Sequence, residues 1–168
     1  MLELFALFLG HTDNQQTLAR AIKDRYELDH MPGMISGSMS ADKRQAVVRS
    51  FQDPEKEGRF DVVILTSRAA GTGLTLTAAN HVIHLERWWN PAVEDQCSDR
   101  CWRIGQKRTV YIHYPLAVLP HANRKSYDQK LDGFLSTKRS RSENILAPAS
   151  GDDMAKSFVT AMLGDEDD

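Results

Sequence analysis

The 168-residue chain has only two cysteines, Cys97 and Cys101, four positions apart. That spacing is not the CxxC of a zinc or thioredoxin site, and no second Cys/His pair stands at ligand spacing, so no metal is expected and the thiols read as small buried groups. No apolar run approaches the roughly 20 residues of a membrane span. The opening "MLELFALFLG" carries an acid where a signal peptide needs a basic region and offers no small-residue cleavage site; the expectation is a cytoplasmic or nuclear protein without membrane contact. The net charge is only −2, so any nucleic-acid role requires a local basic surface, because the overall charge gives it no support.

Complete catalytic constellations are missing as well. The chain lacks GxxxxGK followed by Ser or Thr, the loop with which a nucleotide-hydrolysing α/β domain cradles phosphates. No Asp-Glu pair closes an apolar strand to hold magnesium, and there is no GxSxG elbow for a serine nucleophile. The lone GxG at Gly71 and Gly73 is not a dinucleotide fingerprint, because no third glycine follows and no helix opens on it.

What remains is an ordinary globular composition, 41% hydrophobic and 26% charged, in a chain long enough to bury a core without staples. Short apolar runs alternate with helical ones. "LFALFL" from Leu4, "GMISG", "FDVVILT" from Phe60, "HVIHLE" from His81 and "TVYIHYPLA" from Thr109 read as strands. Helices are predicted from Asn14 to Tyr26, after Ser40 with an apolar face of Ala46, Val47 and Phe51, from Pro91 behind an Asn90 cap, and from about Ser126 to Ser142. A short helix from Met154 to Leu163 interrupts a tail whose acidic end reads as disordered. The alternation implies an α/β fold, a three-layer domain with a mostly parallel sheet and helices on both faces, which binds ligands at the carboxyl ends of its strands. "AAGTG" follows one such end directly, where Gly71 and Gly73 would let the backbone approach a phosphate; a plain tight turn would look the same.

The stretch "DQCSDRCWRIGQ", residues 95–106, places Gln96, Arg100 and Arg103 along one face of the predicted helix, with Gly105 as its C-cap. A solvated, salt-bridged helix would carry the same spacing. Guanidinium groups nevertheless suit phosphoryl chemistry, being permanently charged and forked, and an arginine supplied from a second domain stabilises charge on a γ-phosphate. Arginines without a phosphate loop amount to half of an active site.

Residues 66–108, "TSRAAGTGLTLTAANHVIHLERWWNPAVEDQCSDRCWRIGQKR", closely resemble motifs V and VI of the Swi/Snf-type family of superfamily two helicase-like, DNA-dependent ATPases. "SGSMSADKRQAVVRSFQ", "FALFLGHTD" and "SYDQKLDGFLSTKRSRSENILAP" are similar to flanking segments of the second lobe, bringing the resemblance to about residues 4–148. The resemblance implies a RecA-like second lobe over residues 1–120, a helix packing back on it over 121–148 and a flexible acidic tail over 149–168. It implies that Arg100 and Arg103 are fingers toward ATP held, with Mg2+, by a first lobe that carries the Walker lysine and the DExH pair. Gly71 and Gly73, with Gln96 and Gln106, would line the nucleotide side. Gly37, Ser38, Ser67, Arg68, Trp89 and Asn90 would face double-stranded DNA, while Trp88 is equally well explained by core packing. Ala70, Thr75, Cys97 and Cys101 depart from the family's usual residues without disturbing the pattern. The implied function is one lobe of an ATP-dependent duplex translocase or remodeller, inactive without its first lobe; the alternative is a non-catalytic DNA-binding or protein-docking module.

Overall fold

The computed structural model describes residues 3–53, 60–71, 73–120, 124–143 and 159–160. Five strands, β1 (Leu4–Leu9), β2 (Gly33–Ile35), β3 (Asp61–Thr66), β4 (His81–His84) and β5 (Tyr111–His113), form one sheet in the order β2-β3-β1-β4-β5. Every pairing is parallel. The continuous apolar runs explain the centre: all six residues of β3 are buried, as a strand covered on both faces requires.

The pleat sorts each strand onto two faces. Leu4, Ala6 and Phe8 of β1, with Val63 and Leu65 of β3, enter the larger core, which also takes Val48 and Phe51 from α2 (Ala41–Phe51). Leu7, Leu9, Val62 and Ile64 face the other way and meet Leu18, Ala19 and Ile22 of α1 (Gln15–Arg25). Helices therefore cover both faces, as the alternation predicted. On α2 the inward stripe is Val48 and Phe51, with Val47 at its edge and Ala46 exposed. The expected Ala46 contact is displaced because residues 48 and 51, three apart, already define the buried line.

Two local structures differ from expectation. Strand β3 does not run straight into the glycines: a four-residue helix, α3 (Ser67–Ala70), intervenes, and Gly71 continues it at φ −59°. The Arg-bearing helix α4 (Pro91–Ser98) begins on Pro91 as predicted but stops before both arginines. Arg100 N and Cys101 N donate three residues back, to Cys97 O and Ser98 O, and Arg100 O accepts from Leu76 N at 2.7 Å. The carbonyl that a continuing helix would direct to residue 104 is thus taken by the loop after the glycines, and the helix yields to a series of turns. Gly105, at φ +103°, serves one of those turns and is not the cap of α4.

The chain divides into two compact units, 1–88 with 92–115, and 89–91 with 116–168. The second contains α5 (Tyr127–Glu143), opened by a reciprocal cap in which Gln129 N donates to Ser126 Oγ and Ser126 N to Gln129 Oε1. Within this unit Phe134 stacks on Trp89 at 4.9 Å, and Lys138 Nζ donates to Trp89 O at 3.1 Å. The reading of residues 149–168 as a flexible tail, and nearly all of the short helix predicted within it, lie outside the described residues. Among the described residues no helix is long and apolar enough to cross a membrane.

Cys97 and Cys101 are free, buried and part of the larger core. Burial pushes both thiols up to about 12. An unfolded thiol ionises near pH 8.5, so the folded state holds these protons more tightly, and the associated stability is intact below about pH 8.5 and lost as pH rises toward 12. Urea midpoints should accordingly fall between pH 8 and 10.5, less steeply in Cys97→Ala/Cys101→Ala. At pH 8 a thiol-specific chromogenic reagent should label the native chain only at the rate of unfolding; rapid labelling would contradict this burial.

Candidate functional site

The carboxyl ends of three neighbouring strands open onto one cleft of about 580 Å3, lined by Gly10, His11 and Thr12 after β1, Gly37 and Ser38 after β2, Thr66 and Arg68 at the end of β3, and Trp88. Loops gather there because a parallel sheet delivers every strand's exit to the same edge. Gly37, Ser38 and Arg68, taken from two distant stretches of sequence, are brought together and exposed. His11, Thr12 and Thr66 were not singled out from the sequence; they follow apolar strands without a periodic signal of their own. Thr66 Oγ1 is buried and has no hydrogen-bond partner.

Ser67 is placed differently from expectation. Its hydroxyl is buried, donates to Leu9 O at 3.2 Å and accepts from Trp88 Nε1 at 2.8 Å. It ties Trp88 to the end of β1 and is not presented to a phosphate. Trp88 is therefore neither a plain core residue nor a free surface ring: one edge is anchored while the residue lines the cleft. The turn that carries it is organised by Glu94, which is fully buried. Glu94 Oε1 accepts from Arg87 Nε at 3.0 Å and from Trp88 N at 2.8 Å, and Arg87 lies 4.2 Å from the centre of the Tyr114 ring. Sequence reasoning missed Glu94, whose only signal was an acid in the first turn of a helix behind an Arg-Trp-Trp segment. Trp89 and Asn90 belong to the second unit.

The arginine site is built by zipping two loops. Besides the bond from Leu76 N to Arg100 O, Arg103 donates through one terminal nitrogen to Leu74 O at 3.4 Å and Thr75 Oγ1 at 3.2 Å. Arg100 and Arg103 thus stand against the segment that leaves Gly73. Gly71 and Gly73 are both exposed, but only Gly73 needs its lack of a side chain for conformation, at φ +74°. An L-residue there costs about 1–2 kcal/mol, so Gly73→Ala should lower the melting temperature by several degrees. Gly71→Ala, whose Cβ would lie 3.4 Å from Arg68 O, should change it little, and equal melting of both variants would refute this division.

Gln96 is exposed on α4, while Gln106 is engaged inside the fold. Gln106 Nε2 donates to Ala79 O at 2.7 Å and Cys101 O at 3.2 Å, and its Oε1 accepts from Arg108 N at 2.9 Å. The glutamine expected beside the nucleotide instead locks the arginine turn to the start of β4. For a phosphate the donors present do fit: Arg103 is exposed, and Arg100 Nε is buried without a partner in the fold. For magnesium they do not, because no group of three or more His, Cys, Asp or Glu among the described residues can hold a metal ion.

A parallel five-stranded sheet with helices on both faces, loops gathered at its carboxyl edge and two arginines on a turn behind α4 is a RecA-like lobe. The chain belongs to the family of the helicase conserved C-terminal domain, whose pattern matches residues 7–105, and within it to the Swi/Snf-type helicases. YwqA of Bacillus subtilis is 42% identical over 112 residues, 67% of this chain and 11% of that protein. The Zorya protein ZorD of Escherichia coli is 35% identical over 145 residues, 83% of this chain and 13% of that one. The SWI2/SNF2 ATPase core domain of Sulfolobus solfataricus superposes with a TM-score of 0.62 at 29% identity, covering 88% of this chain and 27% of its own. The chain therefore spans only about an eighth of the length of the curated relatives it matches.

Proposed function

We propose that this lobe works in an ATP-dependent translocase on double-stranded DNA, completing an active site whose phosphate loop and magnesium ligands belong to a first RecA-like lobe. The observation that carries the reading is the arginine turn: a guanidinium nitrogen of Arg100 buried without a partner, beside an exposed Arg103, on a segment bonded to the loop after Gly73. ATP supplies the developing negative charge that such donors stabilise. With the lobes closed, Arg100 and Arg103 would face that charge, and Gly71 and Gly73 would form the adjoining backbone. Gln96 would lie at the rim, and Gln106 would act by holding the arginines in place.

The carboxyl-edge cleft would follow the duplex backbone. Arg68 supplies the charge and Gly37 and Ser38 the close approach, while Ser67 positions Trp88; Trp89 and Asn90, in the second unit, would be a DNA contact of that unit's own. Cycles of lobe closure and opening would then advance these contacts along DNA. The chain alone should bind a short duplex weakly, with affinity falling as salt rises. Arg68→Ala should weaken binding for all sequences alike and reduce the slope of log K against log salt by about one, as measured by fluorescence anisotropy. An unchanged slope would remove Arg68 from the interface. The rival reading, a DNA-binding or docking module without chemistry, shares the cleft and differs in predicting no effect of the arginine turn on any turnover.

A further inference from the structure

The arginine turn leans along its whole length on the segment from Leu74 to Ala79. Arg100 O accepts from Leu76 N at 2.7 Å, Arg103 donates to Leu74 O and Thr75 Oγ1, Gln106 Nε2 donates to Ala79 O, and Arg108 donates to Ala78 O. The arginines are therefore only as fixed as that segment. Its Leu76 and Ala79 are fully buried in the larger core, and Ala79 N donates to Leu76 O at 2.9 Å, closing a tight turn with Thr77 and Ala78 at its tip. The closing bond leaves the N–H groups of the tip without a partner inside the turn. Gln52 supplies one: its Oε1 accepts from Ala78 N at 2.9 Å and from Thr77 Oγ1 at 3.3 Å. The side chain starts from a fixed point, because Gln52 N caps α2 on Val48 O at 2.9 Å and both Val48 and Phe51 lie in the core. Between this helix end and the arginine turn lies a cavity of about 320 Å3, lined by Gln52, Thr77, Ala78, Gly105, Gln106 and Arg108 among others. Across such a gap no close packing can replace a lost hydrogen bond.

The geometry points to Gln52 as a positioning residue for Arg100 and Arg103, acting through the Leu74–Ala79 segment; the inference rests on the reading of these arginines as donors to the charge that develops on ATP. Gln52 bonds the segment and not the arginines, so it acts on the rate only through them. Loss of its acceptor frees Ala78 N, and the carbonyls of Ala78 and Ala79, on which Arg108 and Gln106 are anchored, move with the tip. Transition-state contacts are sensitive to such movement, since a displacement of about 1 Å far from the chemistry costs about 10^2-fold in rate. A loosened tip should cost about tenfold, a smaller part of the same effect. The loss falls on kcat, because a finger acts on the transition state and nucleotide binding belongs mainly to the first lobe.

Two measurements on the same variants test it. In the full chain, amide hydrogen exchange followed by NMR should show the amides of Leu76 and Gln106, bonded to Arg100 O and Arg103 O, exchanging about tenfold faster or more in Gln52→Ala, while those of β1 and β3 stay protected. In the chain joined to a first lobe of a Swi/Snf-type relative, Gln52→Ala should lower kcat for ATP about tenfold below its melting range and change nucleotide binding by less than about twofold. Gln52→Met, which keeps the length of the side chain and lacks the acceptor, should behave alike and serves if the alanine variant does not fold. Gln52→Glu keeps an acceptor for Ala78 N and should restore most of both signals. Unchanged exchange at Leu76 and Gln106, a general loss of protection that includes β1 and β3, or Gln52→Glu as impaired as Gln52→Ala would overturn the positioning role. Arg103→Ala, assayed alongside, separates the two claims: if it lowers turnover and Gln52→Ala does not, only the role of Gln52 falls, and if it leaves turnover unchanged, the reading of the arginines falls first and takes this role with it.

Discussion

Replacing Arg103 by Ala in a two-lobed ATPase containing this chain should lower the turnover of ATP by about 10^3-fold or more, the scale on which arginine fingers act, and leave nucleotide binding nearly intact. The guanidinium of Arg103 makes long bonds of 3.2–3.4 Å to Thr75 Oγ1 and Leu74 O, which hold it against the loop without consuming all five of its donors. Its loss should therefore do little harm to the fold while removing a charge that acts on the transition state. Arg103→Lys should rescue poorly, because an ammonium cannot fork onto two phosphate oxygens. Steady-state hydrolysis together with equilibrium binding of a fluorescent nucleotide separates the two effects. A proportional loss of binding and turnover would make Arg103 a ground-state contact, and unchanged turnover would end the finger assignment.

The second large effect is expected at Glu94, whose role is to hold a turn. Arg87 and Glu94 have side chains only 5% and 0% exposed, and the carboxylate also accepts from Trp88 N. Truncation of one partner in such a buried pair costs about 3–5 kcal/mol, a large share of the 5–15 kcal/mol that holds a domain folded. Glu94→Ala should shift the urea midpoint of unfolding steeply downward. Glu94→Gln, which keeps an acceptor for Trp88 N, should lose less. Joint replacement of Arg87 and Glu94 by Leu should recover part of the deficit, since two apolar groups avoid the cost of a charge buried without its counterpart. If the single and double variants unfold alike, the ion pair is not what organises the Trp88 turn.

The sheet was legible because its central strands are continuous apolar runs, and β3 in particular has the short length and β-branched content of a strand covered on both faces. Convergence of Gly37, Ser38 and Arg68 on one edge follows from parallel topology, so a correct strand list sufficed to gather them. Other features depended on tertiary bonds that no local pattern records. Helix α4 stops at Ser98 because Arg100 O is claimed by Leu76 N, from a loop more than twenty positions away in sequence. Ser67 and Gln106 are residue types suited to a ligand, yet the fold occupies their polar atoms. Glu94 looked like one more acid in a helix's first turn, and only burial beside Arg87 distinguishes it.

The measurement closest to the central claim is DNA-stimulated ATP hydrolysis by this chain joined to a first lobe of a Swi/Snf-type relative, beside the chain alone and the first lobe alone. The account predicts turnover only in the joined protein, stimulated by duplex DNA and abolished by Arg103→Ala. Hydrolysis by the chain alone, or a correctly folded joined protein that binds ATP and DNA yet turns over no faster than its first lobe, would contradict it.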